Sequence, residues 1–114
     1  MDEKLVFGLA ALMFATIGLS AAEIPNLVGN WTGSYEGYAN GIGYKAANET
    51  DAITLVISEQ QGRLFTGNLR EMGQGTAAVS GVIALDNQTF YMTESDGGYD
   101  IGTVLTSDTI ELLY

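Results

Sequence analysis

The chain is expected to be all-β: an antiparallel meander forming a small β-barrel, complete or incomplete, preceded by an N-terminal hydrophobic signal helix. Three observations predict this. Beyond Pro25, β-branched and aromatic residues dominate, 13 of the 15 glycines lie past residue 22, and no long stretch repeats apolar residues with helical period. Of the 114 residues, the first 22 read as a separate segment, which leaves residues 23–114 for a single core and no room for a second lobe. A domain of that size buries only somewhat more than roughly 60% of the surface its unfolded chain exposes, so its margin of stability is thin.

The amino terminus reads as an export signal. Leu5 to Ala22 is an uncharged run that ends abruptly at Glu23 and Pro25, and Ser20, Ala21 and Ala22 supply the small side chains that signal peptidase requires for a cut after Ala22. Asp2 and Glu3 outnumber Lys4, however, where a signal peptide normally carries net positive charge. An uncleaved anchor is therefore the second reading, because residues 5–22 are just long enough to span a bilayer. Either way the domain is expected to be secreted or extracytoplasmic, and a membrane is a partner only if that segment stays attached.

Seven strand-like runs follow, approximately Leu27 to Tyr38, Ala52 to Glu59, Arg63 to Arg70, Ala77 to Leu85, Thr89 to Glu94, Tyr99 to Leu105 and Thr109 to Tyr114. The connections Gln60-Gln61-Gly62, Asp86-Asn87-Gln88, Ser95-Asp96-Gly97-Gly98 and Thr106-Ser107-Asp108 are short and carry turn chemistry, so consecutive runs pair antiparallel. None is long enough to hold a crossover helix, which excludes a βαβ arrangement. The one long connection, Ala39 to Asp51, reads as a loop.

Alternation assigns the faces. Leu27, Trp31 and Tyr35 share the inner side of the first run with Gly29, Gly33 and Gly37, and Asn30, Thr32, Ser34 and Glu36 share the outer side. Ile53, Leu55, Ile57, Phe65, Leu69, Val79, Ile83 and Leu85 continue the inner face, with Thr54, Ser58, Thr66, Asn68 and Ser80 pointing out. Three glycines at alternate positions of one strand predict strong coiling or close approach of another backbone. With no helix to cover the inner face, the sheet must curl on itself or pack as two layers. The final run, Thr109 to Tyr114, is apolar to its last residue, which predicts either closing strands missing beyond Tyr114 or a dimer through that edge.

Leu27-Val28-Gly29-Asn30-Trp31-Thr32-Gly33 resembles the opening strand of the calycin group, the lipocalins and avidins, in which a Gly-x-Trp sequence begins a meander closing into a barrel. Gly29 and Trp31 carry the match. The resemblance implies a barrel whose interior can hold an apolar molecule. Trp31 is the only tryptophan, whereas avidin-like pockets are lined by several, so biotin is not implied. The late Thr-Asp-Tyr motif and late arginine of lipocalins have no clear counterpart.

Composition excludes several function classes. Without Asp2, Glu3 and Lys4 the chain keeps 12 acids against 3 bases, a net charge of −9 that repels nucleic acid and anionic lipid. Cysteine is absent, so stability must come from packing and sheet closure. Histidine is absent too, which removes Ser-His-Asp and Cys-His catalysis and the ligands of ordinary zinc and copper sites.

The candidate ligand contacts are Trp31, Tyr35, Phe65, Phe90 and Tyr99, which could flank an apolar cup; the plainer reading is a filled core. Glu94, Asp96 and Asp100 surround Gly97-Gly98 and could offer oxygens to Ca²⁺, but the spacing is not that of an EF-hand and an acidic hairpin turn explains it, so no metal is expected. Asn30, Asn48 and Asn87 head three glycosylation sequons. Glu36, Glu59 and Glu94 could pair as acid and base in sugar hydrolysis, yet nothing in the sequence brings two of them together, and no enzyme activity or cofactor is expected. Two functions remain open: an exported binding module with a small apolar ligand in its barrel, and a structural or cell-surface interaction domain with a filled interior.

Overall fold

The computed structural model describes residues 23–46, 52–71 and 75–114. The expected signal segment, residues 1–22, and the sequon residue Asn48 lie outside the described residues. Among the described residues nine strands form: β1 (Gly29–Gly33), β2 (Gly37–Ala39), β3 (Gly43–Lys45), β4 (Ile53–Gln61), β5 (Leu64–Glu71), β6 (Gly75–Ile83), β7 (Thr89–Glu94), β8 (Tyr99–Thr106) and β9 (Thr109–Leu113). Seven of them make one antiparallel sheet in the order β1-β4-β5-β6-β7-β8-β9, and β2 and β3 form a separate hairpin. The sheet curls into a half-barrel whose two edges, among the described residues, are β1 and β9.

Two expectations about the elements are corrected. The first run does not continue to Tyr38 as one strand, because its partner runs out: Gly33 pairs with Ile53, the first residue of β4, and beyond it the chain leaves the sheet at Ser34. It then turns into the β2–β3 hairpin, so part of the long connection is strand. Leu85, expected inside, is 87% exposed. β6 ends at Ile83, and Leu85 belongs to a tight turn in which the Asn87 amide donates to the Ala84 carbonyl at 3.0 Å and Asn87 takes a left-handed φ of 57°.

The alternation is otherwise observed. Leu27, Leu55, Ile57, Phe65, Leu69, Val79, Ile83, Phe90 and Met92 form one buried cluster on the inner face, with Trp31, Ile53, Val104, Ile110 and Leu112 packed against it. Phe65 and Phe90 meet edge to face with centroids 5.7 Å apart. Each lies over a glycine directly opposite it in register: a methyl at Gly81 would overlap the Phe65 ring, and one at Gly102 the Phe90 ring. The side chains that fill the curl thus occupy space that small residues on the neighbouring strand leave open.

Close backbone approach is found elsewhere than expected. A side chain at Gly29, Gly33 or Gly37 would meet nothing within 4 Å, whereas one at Gly67 would run into the Val56 carbonyl. The cause is a β-bulge at Ser58, where the β4–β5 register shifts between Ile57 and Glu59. The bulge also turns Gln60 inward, opposite Phe65. There its carboxamide accepts from the Leu27 amide at 2.8 Å and donates to the Pro25 carbonyl at 2.9 Å, holding the segment before β1 against the sheet where no ladder exists.

Candidate interaction surface

The five residues proposed as ligand contacts do not line one cavity. Phe65 and Phe90 are buried in the core. Trp31 is half-buried beside them, its indole N–H donating to the Leu27 carbonyl at 2.9 Å. Tyr35 lies past the end of β1 with the Lys45 ammonium 5.6 Å from its ring centre. Tyr99 projects from the opposite, outer face and is exposed. A cavity of about 400 Å³ does open at the unclosed seam of the half-barrel, between Pro25, Asn26, Leu27, Val28 and Trp31 on one side and Val104 and Ser107 on the other.

One end of the inner face carries two acids. Glu94 and Asp100, on adjacent strands, are 8% and 3% exposed, and Glu94 Oε2 and Asp100 Oδ2 are buried with no hydrogen-bond partner. Burial pushes the Glu94 carboxyl up to about 8; its hydrogen bond with Asp100 and the negative charges of Asp100, Asp96 and Glu71 act in the same direction. Glu94 is therefore held protonated near neutral pH. Tyr114, whose ring lies over Gly98, has its phenol pushed up chiefly by the Glu94 charge. Asp96 is exposed and accepts from the Gly98 amide at 3.1 Å, an ordinary turn bond. Among the described residues no three acids come together as a cation's ligands.

The outer face carries a feature that alternation along single strands does not reveal. Leu64, Val82, Tyr91, Ile101 and Leu113 stand directly opposite one another in register, one from each of β5, β6, β7, β8 and β9. All five are exposed, from 37% at Ile101 to 63% at Leu64. They form an unbroken apolar row across five strands, and Tyr99 beside it borders a shallow groove of about 330 Å³ with Val82 and Tyr91. The next row along is Thr66, Ser80, Thr93 and Tyr99, and on the other side stand Thr89, Thr103 and Glu111. Two acids border the row: Glu111 on β9, and Glu59 on β4, which stands opposite Thr66.

The signal was present as Gly81-Val82-Ile83 and Phe90-Tyr91-Met92, where apolar residues occupy both parities of a strand. Only the register shows that the outward members line up. Of the sequons, Asn30 is exposed on the outer side of β1, and Asn87 is half-buried in the β6–β7 turn.

A second exposed aromatic group sits on the β2–β3 hairpin, where the rings of Tyr38 and Tyr44 are 5.4 Å apart. It is separate from the row. No protein-family model matches this chain, and neither a curated protein nor a solved structure matches it, so the calycin resemblance rests on Gly29-Asn30-Trp31 and the meander alone.

Proposed function

We propose that the domain is an exported interaction module with a filled interior, which meets a partner protein through the outer face of β5–β9. The observation that carries this reading is the in-register row of exposed apolar residues, since monomeric proteins rarely leave a contiguous apolar patch uncovered without a use for it. The interior ligand is the weaker reading because the Phe65–Phe90 pair fills the middle of the curl. Catalysis by Glu94 and Asp100 is not supported either, as both side chains are buried and one oxygen of each carboxyl is shut off from solvent.

A second reading has its own observation. The seam cavity beside Trp31 could take a small apolar molecule. Titration with a hydrophobic fluorophore separates the two. The outer-face reading expects weak uptake that Val82→Lys abolishes and Trp31→Ala leaves intact. Saturable uptake that raises the melting temperature, survives Val82→Lys and is lost in Trp31→Ala would replace it with the seam site.

A further inference from the structure

We propose that Asn40-Gly41, in the turn of the β2–β3 hairpin, is a self-modifying site at which the chain converts Asn40 to isoaspartate and aspartate with water as the only co-reactant. The chemistry is an intramolecular attack. The backbone nitrogen of Gly41 bonds to the side-chain carbonyl carbon of Asn40, the bond from that carbon to Nδ2 breaks, and ammonia leaves with the proton that the Gly41 amide gives up. Water then opens the succinimide ring. Opening at the side-chain carbonyl gives aspartate, and opening at the main-chain carbonyl gives isoaspartate. The rate is set by how freely the nitrogen can approach the carboxamide.

Sequence and structure together select this position. Of the six asparagines, Asn40 alone is followed by glycine, which has no side chain to obstruct approach to its nitrogen. Asn40 and Gly41 are exposed, a side chain added at Gly41 would meet nothing within 4 Å, and among the described residues no hydrogen bond holds the Gly41 amide. The Asp96-Gly97 pair, open to the same chemistry, is tied down: the Gly97 amide donates to the Glu94 carbonyl at 3.0 Å and the Asp96 carboxylate accepts from the Gly98 amide at 3.1 Å. The hairpins differ as well. β2 and β3 share three residue pairs and, among the described residues, join no other strand, so their turn opens more readily than the one between β7 and β8 inside the sheet.

Conversion acts on the exposed aromatic pair. Isoaspartate carries the backbone through its own side-chain carbons, which lengthens the turn between the paired Ala39 and Gly43 by one carbon. The register that sets Tyr38 opposite Tyr44 is then lost, and with it the ring contact at 5.4 Å, while the seven-stranded sheet is untouched. Either product also adds a negative charge beside those rings.

Warm incubation of the full chain at mildly alkaline pH, followed by anion exchange and peptide mass spectrometry, tests this. The expected result is a single more acidic species in which Asn40 has lost ammonia and gained water, with isoaspartate as the main product. It should form faster as pH rises, because the attacking nitrogen must lose its proton. Asp96 and the other asparagines should convert more slowly. A protein isoaspartyl methyltransferase should methylate the converted species and leave fresh protein unlabelled. Asn40→Ser, which keeps a turn-forming residue and removes the carboxamide, should abolish the acidic species. The converted protein should keep the melting temperature of the fresh one, since the sheet is unchanged. Asn40 left intact when a short unstructured Asn-Gly peptide has converted under the same conditions, conversion led by another residue, or an acidic species that persists in Asn40→Ser would each overturn the proposal.

Discussion

Replacing Glu94 by glutamine should stabilise this protein at neutral pH, which is unusual for a substitution at a buried site. Glu94 is 8% exposed, and its carboxyl is raised from 4.5 to about 8, first by burial and then by Asp100. A group whose folded value lies above its unfolded value contributes fully below the unfolded value, near pH 4.5. Its contribution falls as pH rises and stops falling above about 8. Each unit in that window costs about 1.4 kcal/mol, so at pH 7 the native state has lost on the order of 3 kcal/mol relative to pH 4.5 through this one group.

Glutamine cannot ionise, keeps the shape, and offers an N–H₂ donor to the Asp100 carboxylate. Glu94→Gln should therefore gain about 2 to 3 kcal/mol at pH 7, little at pH 4.5, and show a flatter pH profile. Chemical denaturation of both proteins from pH 4.5 to 9 measures it. The groups that also face Glu94, namely Asp100, Asp96, Glu71 and Tyr114, remain in both proteins, so the comparison isolates the loss of an ionisable group at position 94. A wild type whose stability is level from pH 5 to 8, or a variant less stable than wild type at pH 7, would show that Glu94 is not held protonated and that the account of this end of the core is wrong.

Two further substitutions probe how the curl is built. Gly102→Ala puts a methyl into the Phe90 ring and should cost about 1 to 3 kcal/mol, partly recovered when Phe90→Leu is added; equal losses in the single and double variants would deny the contact. Gln60→Ala removes the carboxamide that holds Pro25 and Leu27, at about 1 kcal/mol per bond, and should speed exchange of the Leu27 amide far more than that of the Leu55 amide in β4. Unchanged protection at Leu27 would mean that the segment before β1 is held by packing alone.

Strand class, antiparallel pairing and the split between a dry face with Leu55, Ile57, Phe65 and Val79 and a wet face with Asn30, Thr66 and Ser80 follow from period-2 alternation and short turns. Both are local properties, legible one residue against the next. Register is not local. Which outward residue of one strand stands opposite which of another depends on the bulge at Ser58, the end of β6 at Ile83 and the turn at Asn87.

That is why alternation alone places Leu85 inside, and why the residues from Leu64 to Leu113 do not stand out as a row in the sequence. It is also why Glu94 and Asp100 read as parts of an acidic turn. Their inward parity was available from alternation, but the hairpin at Gly97-Gly98 brings them to one place on the inner face, and only there does their burial raise a carboxyl toward neutrality. The residues alone specify which side chains seek water and which avoid it; the curvature of the assembled sheet decides which of them meet.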